Sequence, residues 1–190
     1  ADFRMGLRQD YSYALSGCID EVRIWNTALS QEQLRNNMHL WQSSASPGLV
    51  ANLRLDESSG TKAWDQLGSL NGILINTEPT DRIDSEVLIG QGSAVTLTPS
   101  IPGQVYDFPG TGLQMNFSSL GSATPITVTL LNGAGNRAAL NSQSWVIHTF
   151  GSGERIATLQ CAVAEDFTSA QLPAYKFRLF GRNPFSNQSY

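Results

Sequence analysis

Two histidines, two cysteines and sixteen carboxylates are the main supply of acid–base, nucleophilic or metal chemistry in this 190-residue chain. His39 falls on the flank of a helical segment, and His148 sits in the alternating run Trp145-Val146-Ile147-His148-Thr149-Phe150. A lone histidine in either setting is read as solvated or hydrogen-bonded rather than catalytic. Neither belongs to a recognisable Ser/His/Asp or Cys/His pattern. The carboxylate pairs Asp56/Glu57 and Glu165/Asp166 are adjacent in sequence. Adjacent side chains of a strand point to opposite faces, so neither pair makes a glycosidase acid/base couple. Cys18 and Cys161 lie too far apart in the sequence for a zinc motif of the usual Cys/His type or a thioredoxin-type pair. They are expected to be two buried thiols on apolar strand faces, with a disulfide as the alternative. No catalytic residue is assigned, and the chain is not expected to be an enzyme.

Asp20 is the most informative single residue. The stretch 17–25 reads as a strand that places Cys18, Asp20, Val22 and Ile24 on one face and Ile19, Glu21, Arg23 and Trp25 on the other. An unpaired carboxylate on the apolar face costs several kcal/mol, so Asp20 needs a partner. A cation, backbone N–H groups or an arginine would serve. Four tryptophans, Trp25, Trp41, Trp64 and Trp145, are candidate stacking platforms for sugar rings, with core packing as the alternative.

The elements that must position these residues follow from periodicity. Ser30 with Gln33 three residues later forms a capping box, and Leu29 with Leu34 a hydrophobic staple. Leu34, Met38 and Trp41 then give the helix one apolar stripe, expected to pack on a sheet. Leu49, Ala51, Leu53 and Leu55 alternate with Val50, Asn52, Arg54 and Asp56 as a second strand. A polar loop over 56–61 and a short strand near 72–75 come next. Beyond residue 92 the chain is nearly pure β. Period-two segments fall at about 93–98, 104–108, 112–118, 125–131, 144–150, 155–164 and 174–180. Leu113, Met115 and Phe117 form one inward set, Ile126, Val128 and Leu130 another, and Tyr175, Phe177 and Leu179 a third. Asn132-Gly133 is a turn signal. Seven short strands without a helix predict an immunoglobulin-like sandwich.

Composition agrees with an all-β chain: 17 glycines and only 15% charged residues, against 41% apolar. A net charge of -4 gives no basic footprint for nucleic acid. No apolar run reaches 18 residues, so no membrane-spanning helix is expected. Residues 1–91 hold twelve of the sixteen acids. That shift falls at Gly90-Gln91-Gly92-Ser93, read as a short linker between units 1–90 and 92–190. The chain starts Ala-Asp-Phe and reads as a mature or excised piece of something longer.

The run Gly17-Cys18-Ile19-Asp20-Glu21-Val22-Arg23-Ile24-Trp25-Asn26-Thr27-Ala28-Leu29-Ser30 resembles the closing strand and helix of laminin-G-like, concanavalin A-like jelly-roll domains. The stretch Gly48-Leu49-Val50-Ala51-Asn52-Leu53-Arg54-Leu55-Asp56-Glu57-Ser58-Ser59-Gly60-Thr61 resembles the strand and loop that often follow that helix in bacterial surface proteins. Asp65 through Leu74, with Asn71-Gly72, continues the likeness. The resemblance covers the C-terminal part of a jelly roll only. Residues 105–180 resemble, more loosely, β-sandwich modules near the C-termini of proteins of the type IX export route.

The resemblance implies an all-β architecture: a partial concanavalin A-like jelly roll with one short helix, then an immunoglobulin-like β-sandwich. An upstream domain or a neighbouring chain would complete the jelly roll. It implies a structural calcium at Asp20, with Asp56, Asp65 and carbonyls of the 57–61 loop among its oxygens. A hydrogen-bonded or arginine-paired Asp20 remains the alternative. The implied role is a non-catalytic, extracellular adhesion or glycan-binding segment of a larger secreted or cell-surface bacterial protein. A filament subunit or stalk, and an accessory region of a secreted hydrolase, stand as alternatives.

Overall fold

The computed structural model describes residues 3–6, 15–85, 87–132, 143–151 and 155–161. Ala1–Gln160 form one compact unit and Cys161–Tyr190 a second. All sites discussed below lie in the first. Glu165/Asp166, the expected strand at 174–180 with Tyr175, Phe177 and Leu179, the turn residue Gly133 and the side chain of Cys161 lie outside the described residues.

The described residues form an all-β fold of ten strands with one α-helix, α1 (Gln31–Asn37), and a 3-10 turn at Pro79–Asp81. Strands β1 (Val22–Trp25) and β2 (Leu49–Leu53) pair antiparallel, as do β3 (Lys62–Ala63) and β4 (Gly72–Ile73). Further on, β5 (Gln91–Leu97), β8 (Ile126–Asn132) and β9 (Gln143–Thr149) make one sheet in the order β5-β8-β9. A second sheet has the order β10-β7-β6, from β6 (Val105–Phe108), β7 (Leu113–Leu120) and β10 (Arg155–Cys161). Alternation marks β5 to β9 within about two residues, as expected for side chains that point to opposite faces in turn, and the part of the expected 155–164 segment beyond Cys161 lies outside the described residues.

The core sits between the two three-stranded sheets. Phe108 of β6 and Leu113, Met115 and Phe117 of β7 meet Ile126 and Val128 of β8, with Val95, Leu97, Tyr106 and Trp145 around them. The expected inward sets of β7 and β8 are therefore in place. Strand β8 is buried beyond its apolar set, since Thr127 and Thr129 are also covered. Trp145 Nε1 donates to the Thr111 carbonyl at 2.7 Å, joining β9 to the β6–β7 turn, so this ring is a core residue. Tyr106 Oη accepts the N–H groups of Ser100 and Ile101, which fastens the loop before β6.

Two local geometries overturn the expected parity. Glu21 (φ 49) and Leu55 (φ 59) both sit in the left-handed region, which branched or bulky residues rarely occupy. Each ends its strand: β1 begins only at Val22 and β2 stops at Leu53. The reversal at Glu21 turns Asp20 and Cys18 out to solvent, and both are exposed. Asp56, in the polar loop after Leu55, is exposed as well. The inner-face argument for a partner on Asp20 thus fails, and Cys18 is not a buried thiol.

The helix begins where expected: Ser30 Oγ accepts Gln33 N–H at 3.1 Å, and Ser30 N–H reaches Gln33 Oε1 at 2.8 Å. It ends after seven residues, and its apolar stripe does not meet a sheet. Leu34, Met38 and Trp41 are 53%, 38% and 43% exposed. The sheet meets α1 through Asn36 instead, whose Oδ1 accepts from Thr96 Oγ1 of β5 at 2.7 Å.

The Gly90–Ser93 stretch is not an open linker. Gly90 bridges Leu40, and Gly92 lies inside β5 opposite Leu131. A Cβ at Gly92 would stand 1.8 Å from the Leu130 carbonyl oxygen, a contact only backbone displacement can relieve. Gly92→Ala should therefore cost about 3 kcal/mol by forcing β5 off β8. Gly17→Ala, where a Cβ meets nothing within 4 Å, should change stability by less than about 0.5 kcal/mol. Denaturant unfolding of the two variants checks the contrast.

Candidate functional site

A groove of about 670 Å³ opens between β1, α1 and the segment before β5, and its lining is mostly apolar. Strand β1 contributes Arg23 and Trp25, and Glu21 precedes it. The uncovered helix stripe contributes Leu34 and Met38, Val87 and Ile89 form the opposite wall, and Phe150 follows β9. The short helix explains the groove: with its polar side against the sheet, its apolar side has only this space to face.

Two arginines organise the walls. Arg23 pairs with Glu21 at 2.9 Å and donates to the Asn37 carbonyl at 2.7 Å, satisfying the end of α1. Its Nε is buried and has no hydrogen-bond partner among the described residues. Arg35 lays its guanidinium 4.3 Å from the centroid of the Phe150 ring. Trp41 and Trp64 are exposed, but Arg54 and Lys62 stand over their rings at 4.7 and 5.1 Å. Trp25 lines the groove itself.

Behind the groove the chain's two histidines meet. His39 is only 6% exposed and follows α1, while His148 lies in β9. Their Nε2 atoms are 2.7 Å apart, and His39 Nδ1 stands 2.7 Å from the Leu88 carbonyl. A carbonyl can only accept, so His39 carries its proton on Nδ1 and offers Nε2 as acceptor, and His148 Nε2–H donates. Ring centroids 4.8 Å apart with planes inclined by 15° mean that the rings meet nearly edge to edge, since face-on overlap cannot bring two nitrogens to 2.7 Å. Burial, with the Arg23 charge adding to it, outweighs the Leu88 bond and holds His39 below the usual histidine range. Burial and then the neighbouring His39 do the same to His148. Neither ring is bonded to a hydroxyl, thiol or carboxylate among the described residues, so the pair does not form the hydrogen-bonded base of a triad.

Nothing in the local pattern around either histidine announces this contact, because 109 positions separate them. The only available signal is that the chain has two histidines and places both in elements with a packed face.

The three expected calcium ligands are placed differently from one another. Asp20, at the rim of the groove, and Asp56 are exposed. Asp65 is buried, and its oxygens are already occupied: Oδ1 accepts the N–H groups of Asn52 and Leu67, and Oδ2 those of Ser69 and Leu70. Asn71 Oδ1 returns the favour by accepting Asp65 N–H at 3.0 Å. This carboxylate is the anchor of a turn, tying β2 to the segment that carries β3 and β4. No three His, Cys, Asp or Glu side chains gather as a metal set among the described residues. The donors around Asp65 are N–H groups, which compete with a cation for the same lone pairs, so Asp65 does not fit the calcium role.

Burial of Asp65 disfavours its charge, but the four N–H groups outweigh that and hold the carboxyl below its usual value of 3.8. Its contribution to stability is therefore present above that value and lost as pH falls through the depressed one. Asp65→Asn sets an NH2 group against two N–H donors and should cost roughly 3 kcal/mol at pH 7. The gap to the wild type should narrow below about pH 3.8 in equilibrium unfolding, while chelator should leave both melting curves unchanged. Comparison with protein-family models, with curated proteins and with solved structures finds no match for this chain.

Proposed function

We propose that this chain is a non-catalytic binding segment of a larger secreted or cell-surface protein, acting in adhesion through glycan contact at the β1–α1 groove. The laminin-G-like run at 17–75 and the immunoglobulin-like strand pattern beyond residue 92 support a modular, extracellular reading. The observation that carries the proposal is the groove wall itself. Trp25 offers an aromatic surface beside Glu21, Arg23 and Asn37, the combination that stacks on the apolar face of a sugar ring and orients its hydroxyls. The open form of the groove suits an extended or branched chain end rather than a fully enclosed small molecule.

A second reading has a specific observation in its favour. Strand β1 pairs only with β2, so its outer edge is unpaired among the described residues and runs beside an apolar groove. An extended strand from an upstream domain or a neighbouring chain fits that edge by main-chain pairing. On this reading the chain is a stalk or filament subunit, or an accessory region of a secreted hydrolase.

A glycan array followed by calorimetry separates the two. Trp25→Ala should weaken saccharide binding at least tenfold, equivalent to about 1.4 kcal/mol, with the β-sheet circular dichroism unchanged. Absence of binding to any glycan, combined with self-association in light scattering, would favour the strand-pairing reading. Turnover of a bound glycan would overturn the non-catalytic assignment.

A further inference from the structure

We propose that the His39–His148 contact is an acid-sensitive latch that fastens the turn after α1 to β9 at neutral pH and releases it on acidification, reshaping the groove. For its consequence at the groove this rests on the binding reading above; the latch itself does not.

The chemistry is fixed by the proton count. With both rings neutral, one Nε2–H donates and one Nε2 accepts at 2.7 Å. One added proton still leaves a donor and an acceptor at the junction. A second proton leaves two N–H groups pointing at each other, and the contact cannot survive. The pair therefore titrates in two coupled steps belonging to both residues.

The surroundings oppose each step. From β1, Arg23 adds positive charge, only partly offset by its partner Glu21. From α1, Arg35 stands over Phe150, whose ring centroid is 6.1 Å from that of His148. From the segment before β5, the Leu88 carbonyl holds His39 Nδ1–H. From β8, Thr127 faces His148 across the ladder, and its hydroxyl is engaged with Thr96. Both histidines are held below 6.5 in the folded chain, so the unfolded chain takes up protons first. Stability is full above that value and is lost as pH falls through the lower folded values.

A metal ion is the rival occupant of the junction, and geometry decides against it. Two imidazole nitrogens on one tetrahedral ion at ~2.0–2.1 Å stand about 3.3 Å apart, wider than the 2.7 Å found. Two arginines nearby disfavour a further cation, and no third ligand of the usual types joins the pair among the described residues. Release reaches the groove directly, because Phe150 and Arg35 both line it, Phe150 two residues after His148 and Arg35 in the helix that leads to His39.

The test uses the full chain. Histidine ring resonances are followed by NMR from pH 8 to 5, and thermal melting is followed over the same range for the wild type and for His39→Gln/His148→Gln. The latch requires both rings to titrate below 6.5 in coupled steps, with the backbone signals of Phe150 and of residues 38–41 moving at the same midpoint. It also requires the wild-type melting temperature to fall between pH 7.5 and 5, and that fall to be at least halved in the variant. Independent titration of the two rings at the ordinary value would overturn the proposal, as would identical pH profiles of wild type and variant. A rise in wild-type melting temperature with zinc, absent in the variant, would overturn it in favour of a metal site. Should the variant fail to fold, the wild-type titration alone decides. Loss of glycan binding to the groove would leave all of these readouts untouched, so the two proposals fail separately.

Discussion

The α1 helix meets the β5–β8–β9 sheet with its polar side, and most of what is distinctive here depends on that orientation. Seven residues give too few apolar positions to drive docking by area alone. Asn36 on Thr96 and His39 on His148 do it instead, with Arg35 over Phe150 just beyond β9, while Arg23 of β1 holds the end of α1 at the Asn37 carbonyl. Neutral hydrogen bonds such as Asn36–Thr96 and His39–His148 contribute roughly 0.5–1.5 kcal/mol each, but leaving one buried member unpaired costs more than the bond contributes. The attachment is therefore specific rather than strong. It also leaves Leu34 and Met38 without a sheet to cover them, and the groove is the result.

The rest of the fold is held by different physics. Between the two three-stranded sheets the apolar set around Phe108, Leu113 and Val128 is closed to solvent, with the Trp145–Thr111 bond crossing from one sheet to the other. In the front part the corresponding fastener is a single carboxylate. Asp65 gathers four backbone N–H groups, and a charged acceptor makes each of those bonds stronger than its neutral equivalent. That knot does for the short β3–β4 pair what a hydrophobic face does for longer strands.

Much of this was legible in the chain itself. The capping box at Ser30 and Gln33, the inward sets of β7 and β8 and the all-β character are all local patterns, and local patterns survive into the structure. Two kinds of feature did not show. The left-handed backbone at Glu21 breaks an alternation that looks continuous in sequence, so Asp20 and Cys18 went to the wrong face in the parity argument. The second kind is non-local. The stripe Leu34, Met38, Trp41 announces an apolar face, but not that Asn36 and His39 would find better partners on the other side. Asp65 was noticed for its charge, whereas its role is set by the N–H groups of a turn that only the folded chain brings together.

The span of the histidine contact has a consequence for the order in which the molecule assembles. The Asp65 knot joins residues two to five positions apart on its own turn and Asn52 thirteen away, whereas His39 and His148 are separated by 109. Closing the longer loop from an open chain costs about 2–3 kcal/mol more in entropy, far beyond the worth of one hydrogen bond between rings. The β8–β9 ladder must therefore already stand before His148 is within reach. The histidine contact is thus expected to close after the ladder that carries it, and native-state hydrogen exchange should find the turn after α1 opening well before the β5–β8–β9 sheet does.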